Sequence, residues 1–172
     1  MSVNLNTIIW IVILVWLLSR QIRKRPIGRR SGSSGKSTRR LRLAPILIGL
    51  GLIQFLYYLD HNRHFSGFAI TILLLSFIVC GLLSVIRAHT VHIWRESEGL
   101  MRQGTWITIS LWLVGTALHL VAELIIDHNG GPAGAGSATM LIYLGFAVFI
   151  QTVFLKRRVR QIVTKERRAA YA

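Results

Sequence analysis

Three observations predict an all-α membrane protein, a bundle of about five transmembrane helices with its N-terminus outside and its C-terminus inside. Hydrophobic residues make up 52% of the 172 positions, and the mean hydropathy is +0.51, a balance usual for a polytopic membrane chain. The apolar residues fall in five runs of near-bilayer length, approximately 5–22, 43–59, 67–86, 105–126 and 137–155. Charge is concentrated in the segments between them. Of the 21 Lys and Arg, residues 20–42 carry ten, 87–104 carry three and 156–172 carry seven, leaving only Arg63 for the opposite side. Five crossings put those three segments on one face, which the positive-inside rule assigns to the cytoplasm. The whole chain reads as one integral membrane domain.

The first run is preceded by an uncharged stretch and followed by arginines. That is the reverse of a cleaved signal peptide, so an uncleaved anchor is expected. The cytoplasmic linker 20–42 contains Arg23, Lys24 and Arg25, expected to face anionic lipid. Its Ser-Gly run ends in Gly35-Lys36-Ser37, which resembles a phosphate-binding loop. The Gly such a loop needs five residues before Gly35 is Arg30, so a flexible linker is the better reading. In the second run Pro45 sits in the first turn, Gly49 and Gly51 offer a thin face, and Gln54 is a polar group expected to bond across an interface. In the third, Ser76, Cys80 and Ser84 recur every four residues, a small-residue stripe suited to close helix packing.

Residues 87–104 alternate around Val91, Ile93 and Trp94 and turn near Glu96–Gly99, which predicts a small cytoplasmic β-hairpin; an interfacial helix is the competing reading. The fourth run is the one with ionisable groups inside it. Trp112, Thr116, His119 and Glu123 share a face by their spacing, and His119 lies roughly 10 Å from the outer end. A flexible Gly/Ala loop is expected after Asn129. The fifth run contains Gln151 and passes into a basic tail, 156–172, where Arg157 and Arg158 are expected to face lipid and a surface-lying helix is expected.

Two turns read alike, Asp60-His61-Asn62 and Asp127-His128-Asn129. If the second and fourth helices are neighbours, Asp60, His61, His64, Asp127 and His128 converge at the outer face, an imidazole and carboxylate set suited to a divalent transition metal. The same residues also serve as ordinary cap and turn residues at a wet helix end. His119 is either a functional group or a neutral imidazole bonded to Gln54 or to a serine of the third helix. Among soluble-protein classes, nucleic-acid binding is set aside because the basic blocks flank hydrophobic spans. No sequence pattern supports nucleophilic or paired-carboxylate catalysis, so no catalytic residue is assigned and an enzyme is not expected.

The first span followed by Arg23-Lys24-Arg25-Pro26, together with Val91-His-Ile-Trp94-Arg-Glu-Ser-Glu-Gly99 leading into a Trp-containing helix, resembles the CcdC-like family of small bacterial membrane proteins. The resemblance implies a multi-pass protein of a bacterial cytoplasmic membrane and carries an association with cytochrome maturation, but no ligand residues. The expected role is that of an accessory or structural subunit. It would contact anionic lipid on the cytoplasmic side and assemble with itself or with a membrane partner. The alternative is a metal or haem binding or transport component using the outer His and Asp groups.

Overall fold

The computed structural model describes residues 5–23, 25–27, 43–61, 66–96, 99–131 and 133–170. In chain order these form α1 (Leu5–Ile22), β1 (Arg25–Ile27), α2 (Leu43–His61), α3 (Gly67–Thr90), β2 (His92–Glu96), β3 (Gly99–Gln103), α4 (Trp106–His128) and α5 (Ala135–Ala170). Four helices are long and apolar enough to cross a membrane: α2, α3, α4 and the Ala135–Lys165 part of α5. Their outward faces are apolar. On α3, Ile70, Leu74, Ile78, Leu82 and Ile86 are exposed, the four-residue period of one helical face turned toward hydrocarbon.

Local sequence fixes the helix ends. Ser66 caps α3, its hydroxyl accepting from Ala69 N at 3.1 Å. Thr105 caps α4 in a reciprocal pair with Thr108. At the other end of α4, Gly130 adopts φ +73°, and Gly130 N and Gly131 N donate to Asp127 O and Ile126 O. This is the glycine-terminated C-cap that only a residue tolerant of the left-handed region closes cheaply. The Gly/Ala stretch forms a turn over 129–131 and 133–134, and from Ala135 it already belongs to α5. Tyr58 of α2 fastens onto it, donating to Ala133 O at 2.9 Å.

Helix α5 is the hub, packing on α1, α2, α3 and α4. Its inward residues, among them Ala135, Ala138, Met140, Leu144 and Ala147, are buried. On its α2 side the approach is backbone-close. A Cβ at Gly51 would lie 2.5 Å from Ile142 N, and one at Gly145 would lie 2.9 Å from Ile48 N. Gly49 meets nothing within 4 Å, so of the glycine pair expected to form a thin face only Gly51 does. Helix α3 runs to Thr90, four residues past the expected end, because Arg87 and Ala88 are buried in the bundle. The basic tail up to Ala170 is helical, as expected. It continues α5 without a break, one helix of 36 residues.

The expected hairpin is present, β2 pairing antiparallel with β3. The basic linker adds β1 to its other edge, giving strand order β1-β3-β2. A third strand was not anticipated, because Arg25-Pro26-Ile27 is too short and too charged to carry a strand pattern of its own.

Candidate functional site

The small-residue stripe of α3 and the polar face of α4 meet against α5. Ser76, Cys80 and Ser84 are buried on α3, as are Trp112, Thr116 and His119 on α4, so both faces read from spacing point inward. They form a polar column along the bundle.

His119, at 0% exposure, is its centre. Its Nδ1 lies 2.9 Å from Ser76 Oγ, and its Nε2 lies 3.2 Å from Gly136 O. Since a carbonyl only accepts, Nε2 carries the proton, and the neutral ring takes a hydrogen from the Ser76 hydroxyl at Nδ1. Thr139 Oγ1 stands 3.3 Å from the same Nε2. The ring stacks on Tyr143 at 4.3 Å and meets the edge of Phe77. One side chain of α4 thus holds α3 and α5 together. A serine of the third helix, one of the two expected partners, is the one used; Gln54 lies half-buried on α2, which packs on α5 instead.

One turn toward the C-terminal end of α4, Glu123 Oε1 accepts from Ser137 N at 3.0 Å and from Ser137 Oγ at 2.7 Å. The carboxylate sits at the N-terminus of α5, where free N–H groups and the helix dipole favour negative charge. Gly136 admits it: a Cβ there would collide with the Glu123 side chain. Toward the N-terminal end of α4, Tyr143 donates to Gly115 O at 2.6 Å and Ser84 to Cys80 O at 2.7 Å. Below them Arg87, 2% exposed, bonds to Ser84 Oγ and lies 4.0 Å over the ring of Trp112. Trp112 Nε1 is the buried side-chain donor without a partner among the described residues; its ring face, not its N–H, serves the cation. Arg87 was grouped with the polar segment 87–104; its position three residues after Ser84, on the same helical face, is the signal that could have found it. Tyr143 carried no signal.

Ser76 and His119 have the spacing of a nucleophile and its base, but the pair is enclosed, and its imidazole is spent on holding helices. Acyl-transfer chemistry further requires oxyanion donors beside the nucleophile.

Among the described residues, the His and Asp groups of the two Asp-His-Asn turns form no metal-holding cluster. Asp60 and His61 lie exposed at the end of α2, with His61 Nδ1 3.0 Å from Tyr57 O and 4.0 Å from Asp60 Oδ2. Asp127 and His128 line an open depression with Val121, Leu124, Ile125 and Asn129, all of α4 and its cap. Among the described residues α5 packs against both α2 and α4, and these two make no extensive contact with each other. Among the described residues no three His, Cys, Asp or Glu side chains are placed to hold a metal ion. His64 and Lys24 lie outside the described residues. Of the cations expected to face lipid, Arg23 and Arg157 are exposed and Arg25 lies in β1. Arg158 is turned inward: its Nη1 donates to Ala88 O, His89 O and Val91 O at 3.3, 2.7 and 2.9 Å. A guanidinium there satisfies the orphan carbonyls that end α3.

No protein-family model, curated protein or solved structure matches this chain.

Proposed function

We propose that the chain is a non-enzymatic accessory or structural subunit of a bacterial cytoplasmic membrane, and that its polar core serves assembly rather than turnover. The observation that carries this reading is His119. Ionisable groups inside a span tend to mark ligand or proton pathways, but both nitrogens of this ring are committed to neighbouring helices. Helix α1, 18 residues long and so about 27 Å by helical rise, is the fifth crossing. The N-terminus is then outside, and the basic linker, sheet and α5 extension face the cytoplasm and its anionic lipids. The resemblance to CcdC-like proteins agrees with that placement.

The test uses single cysteines on a Cys80→Ala background, probed with a membrane-impermeant maleimide in intact cells. Asn129→Cys labels from outside and Ala169→Cys only after lysis. Elemental analysis and an absorption spectrum of the purified protein accompany it, with neither stoichiometric metal nor haem expected. Reversed labelling defeats the topology; a bound metal or haem defeats the accessory reading.

A further inference from the structure

Helix α5 has two unlike parts. Residues 135–155 carry no charge and rise about 31 Å, the thickness of a bilayer core. Residues 156–170 hold seven Lys and Arg and one acidic residue, Glu166.

Register divides this second part lengthwise. Arg160, Gln161, Thr164, Lys165 and Arg168 recur at the spacing of one helical face. All five are exposed, and together they line one shallow depression. Val159, Ile162 and Val163 fall on the opposite side and are half-buried. Glu166 belongs to that side by its spacing, so the cationic face contains no carboxylate of its own. Arg158 fixes the rotation of the helix by donating to the carbonyls that end α3. Lys156 and Arg160 are like charges one turn apart, as are Lys165 and Arg168, an arrangement that weakens a helix unless an anion lies between them.

Distance decides which anion. By helical rise, Lys165 and Arg168 stand about 15 and 20 Å beyond residue 155. A headgroup layer is about 5–8 Å deep, and the usual tilt shortens such distances by less than about a tenth. Both cations therefore lie about one Debye length, roughly 8 Å, or more past the lipid charges.

We infer that this face docks a carboxylate-rich helical segment of a protein partner, with Arg160, Lys165 and Arg168 pairing with its acidic residues. The inference rests on the accessory role and the membrane placement proposed above. The three cations span about 12 Å, just over two turns, the reach of carboxylates spaced four residues apart on a facing helix. Nucleic acid fits less well, because three cations neutralise about three phosphates and such binding falls steeply with salt. A subunit held in the same membrane instead meets the face at a high effective concentration.

The experiment places an environment-sensitive fluorophore on Thr164→Cys, in a Cys80→Ala background, with the full chain in phosphatidylcholine nanodiscs. The probe is a synthetic helical peptide with glutamates every four residues. It changes the emission saturably, and Arg160→Gln/Lys165→Gln/Arg168→Gln weakens its binding about 10- to 30-fold, since each exposed ion pair is worth roughly two- to threefold. Arg39→Gln/Arg40→Gln/Arg42→Gln, in the basic linker, changes it by less than about twofold. An unchanged thermal transition for the α5 triple shows that the loss is not unfolding. No saturable change, or unchanged binding in the α5 triple, overturns the inference. Tighter binding of a single-stranded oligonucleotide than of the peptide overturns it in favour of nucleic acid. Loss of peptide binding when phosphatidylglycerol replaces part of the phosphatidylcholine overturns it in favour of the lipid surface. Labelling of Thr164→Cys by an impermeant maleimide in intact cells defeats the membrane placement instead, so the two failures are separable.

Discussion

Two interfaces made by α5 are built on opposite principles. Against α2 the contact is close and apolar: backbones meet where Gly51 and Gly145 omit a side chain. Against α3 and α4 the contact is polar, with His119, Ser76, Gly136, Tyr143 and Gly115 joined by hydrogen bonds. Helices in lipid gain little by hiding apolar surface from one another, so association depends on close van der Waals approach or on hydrogen bonds across the interface. This chain uses one device on each side of its central helix. The difference implies different tolerances: the first interface rejects added volume, and the second rejects lost polarity.

The sharpest way to break the comparison is Gly51→Leu. Added side-chain atoms would run into the Ile142 backbone, so a loss of about 3 kcal/mol is expected, read as a lowered thermal transition in detergent. Gly49→Leu, two residues away on the open face, should leave the transition almost unchanged. Next comes His119→Ala, which removes two interhelical bonds and leaves Ser76 Oγ and Gly136 O without their partner; a loss of about 2 kcal/mol is expected. His119→Phe keeps the volume and should recover little if polarity is what matters. Arg158→Gln uncaps α3 where it feeds the sheet, with about 1 kcal/mol expected, together with faster amide exchange at the end of α3 in hydrogen-exchange measurements. The smallest effect belongs to the outer groups. Replacing Asp60, His61, Asp127 and His128 together by Ala should change stability by less than about 0.5 kcal/mol and leave metal content unaltered.

How much of this was legible follows from which residues carry periodicity. The stripe Ser76, Cys80, Ser84 and the face Trp112, Thr116, His119 were readable because a 3.6-residue helix fixes which side chains align. Both point inward, and the serine partner of His119 was foreseeable from them. What failed depended on which helices are neighbours, and a single sequence is silent on that. Asp60, His61, Asp127 and His128 were grouped by a repeated triplet, but among the described residues the two helices that carry them make no extensive contact with each other. Arg158 looked like one more cation in a basic tail; only the end of α3 standing beside it gives it a role. Strand β1 was missed for a related reason, since three residues acquire an edge-strand identity only once β3 exists to pair with.

His119 and Ser76 act as one fastening between helices. Its most direct test is a double-mutant cycle on thermal or denaturant unfolding, with Ser76→Ala, His119→Ala and the pair measured in the same detergent. A shared hydrogen bond predicts non-additive losses, with a coupling of about 0.5–1.5 kcal/mol. Additive losses, with coupling indistinguishable from zero, would contradict the account and leave His119 without the partner that ties it to structure.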